Sequence, residues 1–136
     1  MLFRSPTKQA VLAPAIPGDR SRPLVDVNRA AGVTVRNLSL QSGQRGLYVH
    51  GGSTNFAVTG VTAAGNLLEG IRIEDSSPNA ELTKLVATSN GGPGILVTGT
   101  VKAIRNSIAA ANAGDGIAVT AAIGAVTDVL SQGNGG

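Results

Sequence analysis

The sequence contains no cysteine and no tryptophan, and it has only one tyrosine, two phenylalanines and one histidine. The absence of cysteine excludes disulfides and thiolate metal sites. The shortage of aromatic rings excludes a core built on large side chains. No stretch reaches the ~18 apolar residues of a membrane span. The apolar segment 10–16 is too short for a signal peptide and contains Pro14, so the compartment stays unknown.

Acidic residues are scarce in the first third of the chain. Residues 1–45 carry seven basic and two acidic residues, whereas residues 46–136 carry four basic and six acidic ones. A basic end can attract a polyanion. These basic residues are scattered, however, and no aromatic side chains lie between them to stack on bases. We therefore interpret them as a solvated arm and do not expect nucleic acid as a partner.

What the sequence does contain is a repeated phrase of glycine, an aliphatic residue, any residue and a second aliphatic residue. This glycine phrase begins at Gly46, Gly70, Gly94 and Gly116, with spacings of 24, 24 and 22 residues. Self-similarity at such a period is typical of proteins that stack one structural unit per repeat.

Each repeat continues with the same apolar pattern. An aliphatic residue is followed by aliphatic or small residues three and five positions later, which two short strands joined by a two-residue corner would turn inward. The predicted inward residues are Val35, Leu38 and Leu40, then Val58, Val61 and Ala63, then Leu82, Leu85 and Ala87, then Ile104, Ser107 and Ala109, then Val126, Val129 and Ser131.

Two polar columns accompany the inward residues. The second corner residue is Asn37, Gly60, Lys84, Asn106 or Asp128, and four of these five are types that tolerate a left-handed backbone. Three residues after the last inward position comes a second column of Gly43, Asn66, Asn90, Asn112 and Asn134. Stacked asparagines can hydrogen-bond to one another and to turn backbone. We predict that both columns and the four phrase glycines have structural roles.

A leucine-rich repeat has a similar period. The string from Leu82 to Asn90 echoes its motif, but the aliphatic residue expected two positions after the asparagine is replaced by glycine in most repeats. The second apolar segment of each repeat is also a short β-like phrase. These departures favour a β-coil over the horseshoe.

Residues 104–108 (Ile-Arg-Asn-Ser-Ile) followed by residues 112–119 (Asn-Ala-Gly-Asp-Gly-Ile-Ala-Val) resemble the parallel β-helix repeat of the pectate-lyase-like superfamily. The resemblance covers about residues 24–136 and implies an all-β, right-handed parallel β-helix of about five coils with three short parallel sheets. Residues 1–23, which contain four prolines, do not fit the repeat. We predict that they form an irregular arm, anchored by Leu2, Phe3, Val11, Leu12 and Ile16, that caps the first coil.

The last coil ends before another glycine phrase begins. The sequence therefore leads us to expect an unfinished stack, whose C-terminal end is covered either by a continuation of the solenoid or by a partner subunit, for example in a homo-oligomer.

The candidate site lies on the outward side of the glycine phrases. Adjacent coils stack about 4.8 Å apart, so Asp26, Tyr48 and Arg72 should form one outward column. Asn28, His50 and Glu74 should form a second column beside it, with Asp75 at the rim. The only histidine and the only tyrosine of the chain fall in this patch.

In polysaccharide lyases, hydrolases and epimerases of the superfamily, the substrate groove generally follows the outer face of the first sheet. The resemblance therefore implies that Arg72 would hold a uronate carboxylate while His50 or Tyr48 acted as base or acid. Asp26, Asn28, Glu74 and Asp75 would bind substrate, and the three carboxylates could supply oxygen ligands to Ca²⁺. The alternative is a solvated strand face with no site, and no catalytic motif of the superfamily transfers residue by residue.

Three hypotheses follow. The leading one is a non-catalytic β-helix scaffold that binds a glycan such as a polysaccharide, or a protein surface, as part of a larger secreted or surface protein of a bacterium. The second is a lyase or epimerase fragment acting on uronate polymers. The third is a structural fibre or self-assembling solenoid.

Overall fold

The computed structural model describes residues 10–136, and the strands in this range form a β-solenoid. The strands are β1 (Ala10–Leu12), β2 (Val25–Asn28), β3 (Thr34–Gln41), β4 (Leu47–His50), β5 (Ala57–Ala64), β6 (Ile71–Ile73), β7 (Ser77–Thr83), β8 (Val86–Thr88), β9 (Ile95–Val97), β10 (Val101–Ala110), β11 (Ile117–Val119) and β12 (Ile123–Gln132). All recorded pairings between them are parallel. The predicted parallel β-helix of about five coils is confirmed.

Two sheets build the coils. The glycine sheet contains the strands of the glycine phrases in the order β11-β9-β6-β4-β2. The bent sheet has seven strands in the order β1-β3-β5-β7-β10-β12, with β8 pairing with β10 and β5. The resemblance implied three sheets, but the second and third are one, because β3, β5, β10 and β12 continue through the corner. Residues at the corner absorb the bend.

The corner column adopts the predicted left-handed conformation in every coil. The φ angles are 55° at Asn37, 66° at Gly60, 53° at Lys84, 51° at Asn106 and 52° at Asp128. A second left-handed column, not predicted, precedes the asparagines, with φ between 55° and 64° at Ser42, Gly65, Ser89, Ala111 and Gly133. Each coil therefore has two sharp left-handed turns. One is at the corner, and the other follows the strand segment that comes after the corner.

The asparagine column forms a continuous buried ladder. Asn90 donates from Nδ2 to the carbonyl oxygen of Ala63 (3.1 Å) and to Oδ1 of Asn112 (2.9 Å). Its own Oδ1 accepts from the backbone N–H (3.1 Å) and Nδ2 (3.0 Å) of Asn66. Asn112 and Asn134 repeat the pattern. Each side-chain amide therefore satisfies a backbone N–H group and a backbone carbonyl group of the preceding coil.

The phrase glycines are needed because the ladder lies against them. A Cβ on Gly70 would lie 2.7 Å from Nδ2 of Asn90 and 2.8 Å from the carbonyl oxygen of Gly94. A Cβ on Gly94 would lie 2.6 Å from Nδ2 of Asn112. Glycine is therefore required in this column because the asparagine side chains pack directly against it.

The core is a single stack of aliphatic side chains. Predicted inward residues of the second, third and fourth coils are fully buried, for example Val58, Leu85 and Ile104. In the fifth coil Val126 is 50% exposed, because β12 is the last strand of the bent sheet and no described strand covers it. Phe56 and Val101, outside the predicted pattern, are also buried and belong to the same core.

The described part of the predicted arm contributes one strand and one apolar anchor. β1 pairs with the Leu38–Leu40 part of β3, and Leu12 packs against the core. Val11 and Ile16, also predicted as anchors, are 64% and 68% exposed, because Val11 faces outward on β1 and residues 13–23 form no strand. Leu2 and Phe3 lie outside the described residues. None of residues 10–136 form a helix of the length and hydrophobicity needed to cross a membrane.

Candidate functional site

The strand register of the glycine sheet brings the predicted outward residues together. Asp26 pairs in register with Tyr48 and Tyr48 with Arg72, while Asn28 pairs with His50. Glu74 follows β6 directly, and its backbone N–H donates to the carbonyl oxygen of Val49 at 2.9 Å. These residues belong to the first three coils, and the neighbouring outward positions on β9 and β11 are Leu96 and Ala118.

Arg72 lies at the centre of this patch and is paired on both sides. Its Nη1 donates to Oε1 of Glu69 at 2.7 Å, and its Nη2 lies 2.8 Å from Oε1 of Glu74. Burial lowers the pKa of Arg72, but Glu69 and Glu74 outweigh burial and hold that pKa above its ordinary value. The buried Nε has no hydrogen-bond partner among the described residues. Both terminal nitrogens, which a substrate carboxylate would engage, already bind protein carboxylates.

Glu69 is the residue of the candidate site that the sequence did not predict. It is 6% exposed and bridges two coils, with Oε2 accepting from Nε of Arg45 at 2.6 Å and Oε1 from Arg72. Burial raises the pKa of Glu69, but a backbone hydrogen bond and Arg45 outweigh it and bring the pKa below its ordinary value. Arg45 and Glu69 occupy the same position of successive repeats, just before the phrase glycine. Their opposite charges at this spacing were the available signal.

The rings of Tyr48 and His50 are stacked along β4. Their centroids are 3.9 Å apart with an interplanar angle of 10°, and the guanidinium of Arg45 lies 4.8 Å from the Tyr48 centroid. Burial, followed by a hydrogen bond to Glu74, raises the pKa of Tyr48. The hydroxyl is therefore held in its neutral, donating form.

The outer end of the patch is held by His50 and Asp26. Nε2 of His50 lies 2.5 Å from Oδ1 of Asp26, whose side chain is 48% exposed.

We name the set Asp26, Arg45, Tyr48, His50, Glu69, Arg72 and Glu74 the polar cluster. It contains three carboxylates and two arginines, so its acidic groups outnumber its permanent cations.

Asp75 and Asn28, both predicted to bind substrate, lie at the turn that follows β4. The two carboxylate oxygens of Asp75 accept from the backbone N–H groups of Gly52 (2.9 Å) and Ser53 (2.7 Å), which fixes the turn after β4. Asn28 is exposed beside that turn, at the end of β2.

The carboxylates do not converge on a common point. Asp26 faces His50, Glu74 faces Arg72, and Asp75 faces backbone amides. Within residues 10–136 there is no group of three or more histidine, aspartate or glutamate side chains placed to hold a metal ion.

The polar cluster lies on an open sheet face. A shallow cavity of about 430 Å³ is found elsewhere, along the turns that carry Gly65, Ser89 and Ala111, and Arg20 lines it. None of its lining residues belongs to the polar cluster.

Comparison with known proteins gives one match. Residues 20–128 match the family described as "right handed beta helix region". No curated protein and no solved structure matches the chain.

Proposed function

The chain belongs to the right-handed β-helix family, and we propose that it is a non-catalytic binding module whose glycine sheet presents the polar cluster to a neutral glycan. The observation that supports this proposal is the pairing of Arg72 with both Glu69 and Glu74. A lyase acting on uronates needs a cation that is available to the substrate carboxylate. Here that cation is already neutralised.

The charge of the patch favours an uncharged ligand. Asp26 and Glu74 are partly exposed carboxylates, which accept hydrogen bonds from sugar hydroxyls and repel acidic sugars. Leu96 and Ala118 extend the same face over the next two coils with partly exposed apolar side chains, against which the C–H face of a sugar ring can pack. The polar cluster therefore lies beside a flat apolar strip formed by these two residues.

Titration calorimetry with neutral and acidic oligosaccharides tests the proposal. We expect a neutral oligosaccharide to bind, and we expect Leu96→Asp and Asp26→Ala each to weaken that binding about ten-fold, the effect of losing one good contact. Thr127→Ala, on the outer face of the bent sheet, is the matched control and should bind like the parent. Failure of every neutral oligosaccharide to bind would overturn the proposal.

The same protein serves to test the lyase alternative. Incubation with polyuronates should produce no ultraviolet absorbance from an unsaturated uronate. If such absorbance does appear and Arg72→Ala abolishes it, the chain is an enzyme and the binding proposal is wrong.

A further inference from the structure

The described residues on the outer face of the bent sheet beyond the corner carry no charge. Beyond the corner, two rows of residues point outward on β3, β5, β8, β10 and β12. The first row is Ser39, which is buried, followed by Thr62, Val86, Ile108 and Leu130, and the second is Gln41, Ala64, Thr88, Ala110 and Gln132. We name these ten residues the uncharged face. Ile108 and Leu130 are 41% and 49% exposed, so the first row becomes an apolar ridge toward the C-terminal coils.

The other outer faces differ from it in charge. The glycine sheet carries the polar cluster, and the bent sheet before the corner carries Glu81 with Lys102 and Arg105 nearby. Burying either of those faces against a protein removes charges from water, which is costly. The uncharged face can be buried without that cost, and depletion of charge is typical of the centre of a protein interface.

Two opposite charges border the uncharged face along the corner column. Lys84 and Asp128 are exposed, and they lie one coil before and one coil after Asn106. Neither forms an ion pair with another residue of the described chain. Two coil spacings of ~4.8 Å separate the two positions.

We propose that the uncharged face binds the same face of a second copy of the chain. The two copies are related by a two-fold axis that lies between them and runs parallel to β10, so that their coils stack in opposite directions. This axis places Ile108 opposite its own symmetry copy and Val86 opposite Leu130 of the second copy. It also places Lys84 opposite Asp128 of the second copy, and the symmetry produces that pair twice. Isologous contacts of this kind close after two subunits.

The charges select this register over its neighbours. Moving the axis by one coil to β8 would place Lys84 against its own copy, and moving it to β12 would place Asp128 against its own copy. Like charges in direct opposition are unfavourable. Only the axis along β10 matches both charges while keeping the apolar ridges in contact.

The size of the contact predicts its strength. Packed sheets lie ~10 Å apart, a distance that the side chains of a lysine and an aspartate together can span. Three coils, each contributing about four strand residues of which two face outward, give roughly 200 Å² of flat area per copy, well below the ~800 Å² per partner of a standard interface. The dimer is therefore weak and forms only at high protein concentration.

Sedimentation equilibrium over a range from micromolar to millimolar protein measures the dimer. We expect the parent chain to shift from monomer to dimer, and Ile108→Lys to remain monomeric because two lysines would meet on the axis. Leu67→Lys, which changes an apolar residue that is 46% exposed but lies off the uncharged face, is the control and should still dimerise. A parent chain that stays monomeric, forms a trimer, or dimerises despite Ile108→Lys overturns the proposal.

A charge exchange tests the register itself. Lys84→Asp and Asp128→Lys should each raise the dissociation constant about ten-fold, since each creates two like-charge contacts of modest strength. The double variant should restore the parent value, because the pair is then simply exchanged. A double variant as weak as the singles contradicts the axis along β10. Thermal unfolding at low concentration confirms that each variant is folded.

Discussion

The asparagine ladder predicts a large and local loss of stability when one of its central members is truncated. Asn90 is 2% exposed, and its side chain makes four hydrogen bonds, two as donor and two as acceptor. Asn90→Ala removes all four and leaves the backbone N–H of Asn66 and the carbonyl of Ala63 buried without those partners. At about 1 kcal/mol net for each bond, the loss is about 4 kcal/mol.

Asn134→Ala is the matched control. Its side chain also makes four hydrogen bonds, accepting two from Asn112 and donating to the carbonyl of Ala109 and to Oγ of Ser131, but the residue is only partly buried at the last coil. Water can replace those bonds, so the loss should be about 1 kcal/mol. The comparison separates the effect of burial from the number of bonds.

Urea unfolding followed by circular dichroism gives both free energies. Hydrogen exchange of the Asn66 amide adds a local readout, since this N–H donates to Oδ1 of Asn90, and it should exchange faster in Asn90→Ala. Equal losses for the two variants, or a loss under about 1 kcal/mol at Asn90, would refute the reasoning that the ladder satisfies buried turn groups.

Three further changes probe the coil. Gly94→Ala should destabilise by about 1–3 kcal/mol in urea unfolding, as overpacking does, because the new Cβ would lie 2.6 Å from Nδ2 of Asn112; an unchanged midpoint contradicts this. Lys84→Asn should raise the unfolding free energy of the monomer by about 0.5 kcal/mol, since asparagine tolerates the left-handed φ of 53° better; a loss contradicts it. The lowered pKa of Glu69 means that its contribution is present above the ordinary carboxyl pKa and disappears as pH falls through the lowered value. Stability should therefore drop below about pH 4, and less steeply in Glu69→Gln; parallel pH profiles contradict the prediction.

The fold was predictable because its constraints recur in every coil. Asn37 and Asn106 signalled a left-handed corner by residue type, and alignment carried the same conformation to Lys84, whose type does not favour it. The second left-handed column escaped because Ser42, Ser89 and Ala111 are not typical left-handed residues. The backbone N–H groups of these three residues donate to carbonyl oxygens of the next coil, and such bonds stabilise the turn whatever the side chain.

The site was only partly predictable for a related reason. The period placed Asp26, Tyr48 and Arg72 in one column, and the register agrees. It did not show that Arg72 turns back toward Glu69, because side-chain pairing depends on rotamers rather than on the repeat. The predicted carboxylate-binding role of Arg72 came from the resemblance together with its column position, and neither of these shows its pairing with Glu69 and Glu74.

The solenoid fold does not require the charged residues of the polar cluster. The position before the phrase glycine holds Arg45, Glu69, Pro93 and Asp115 in successive repeats, and all four fit the same solenoid. A buried ion pair adds little net stability over apolar packing, because desolvation offsets the attraction between the charges. Packing therefore does not explain why Glu69 lies buried between two arginines. In the binding module that we propose, these charges hold the binding face in place, so substitutions in the polar cluster should weaken ligand binding more than they lower the free energy of unfolding.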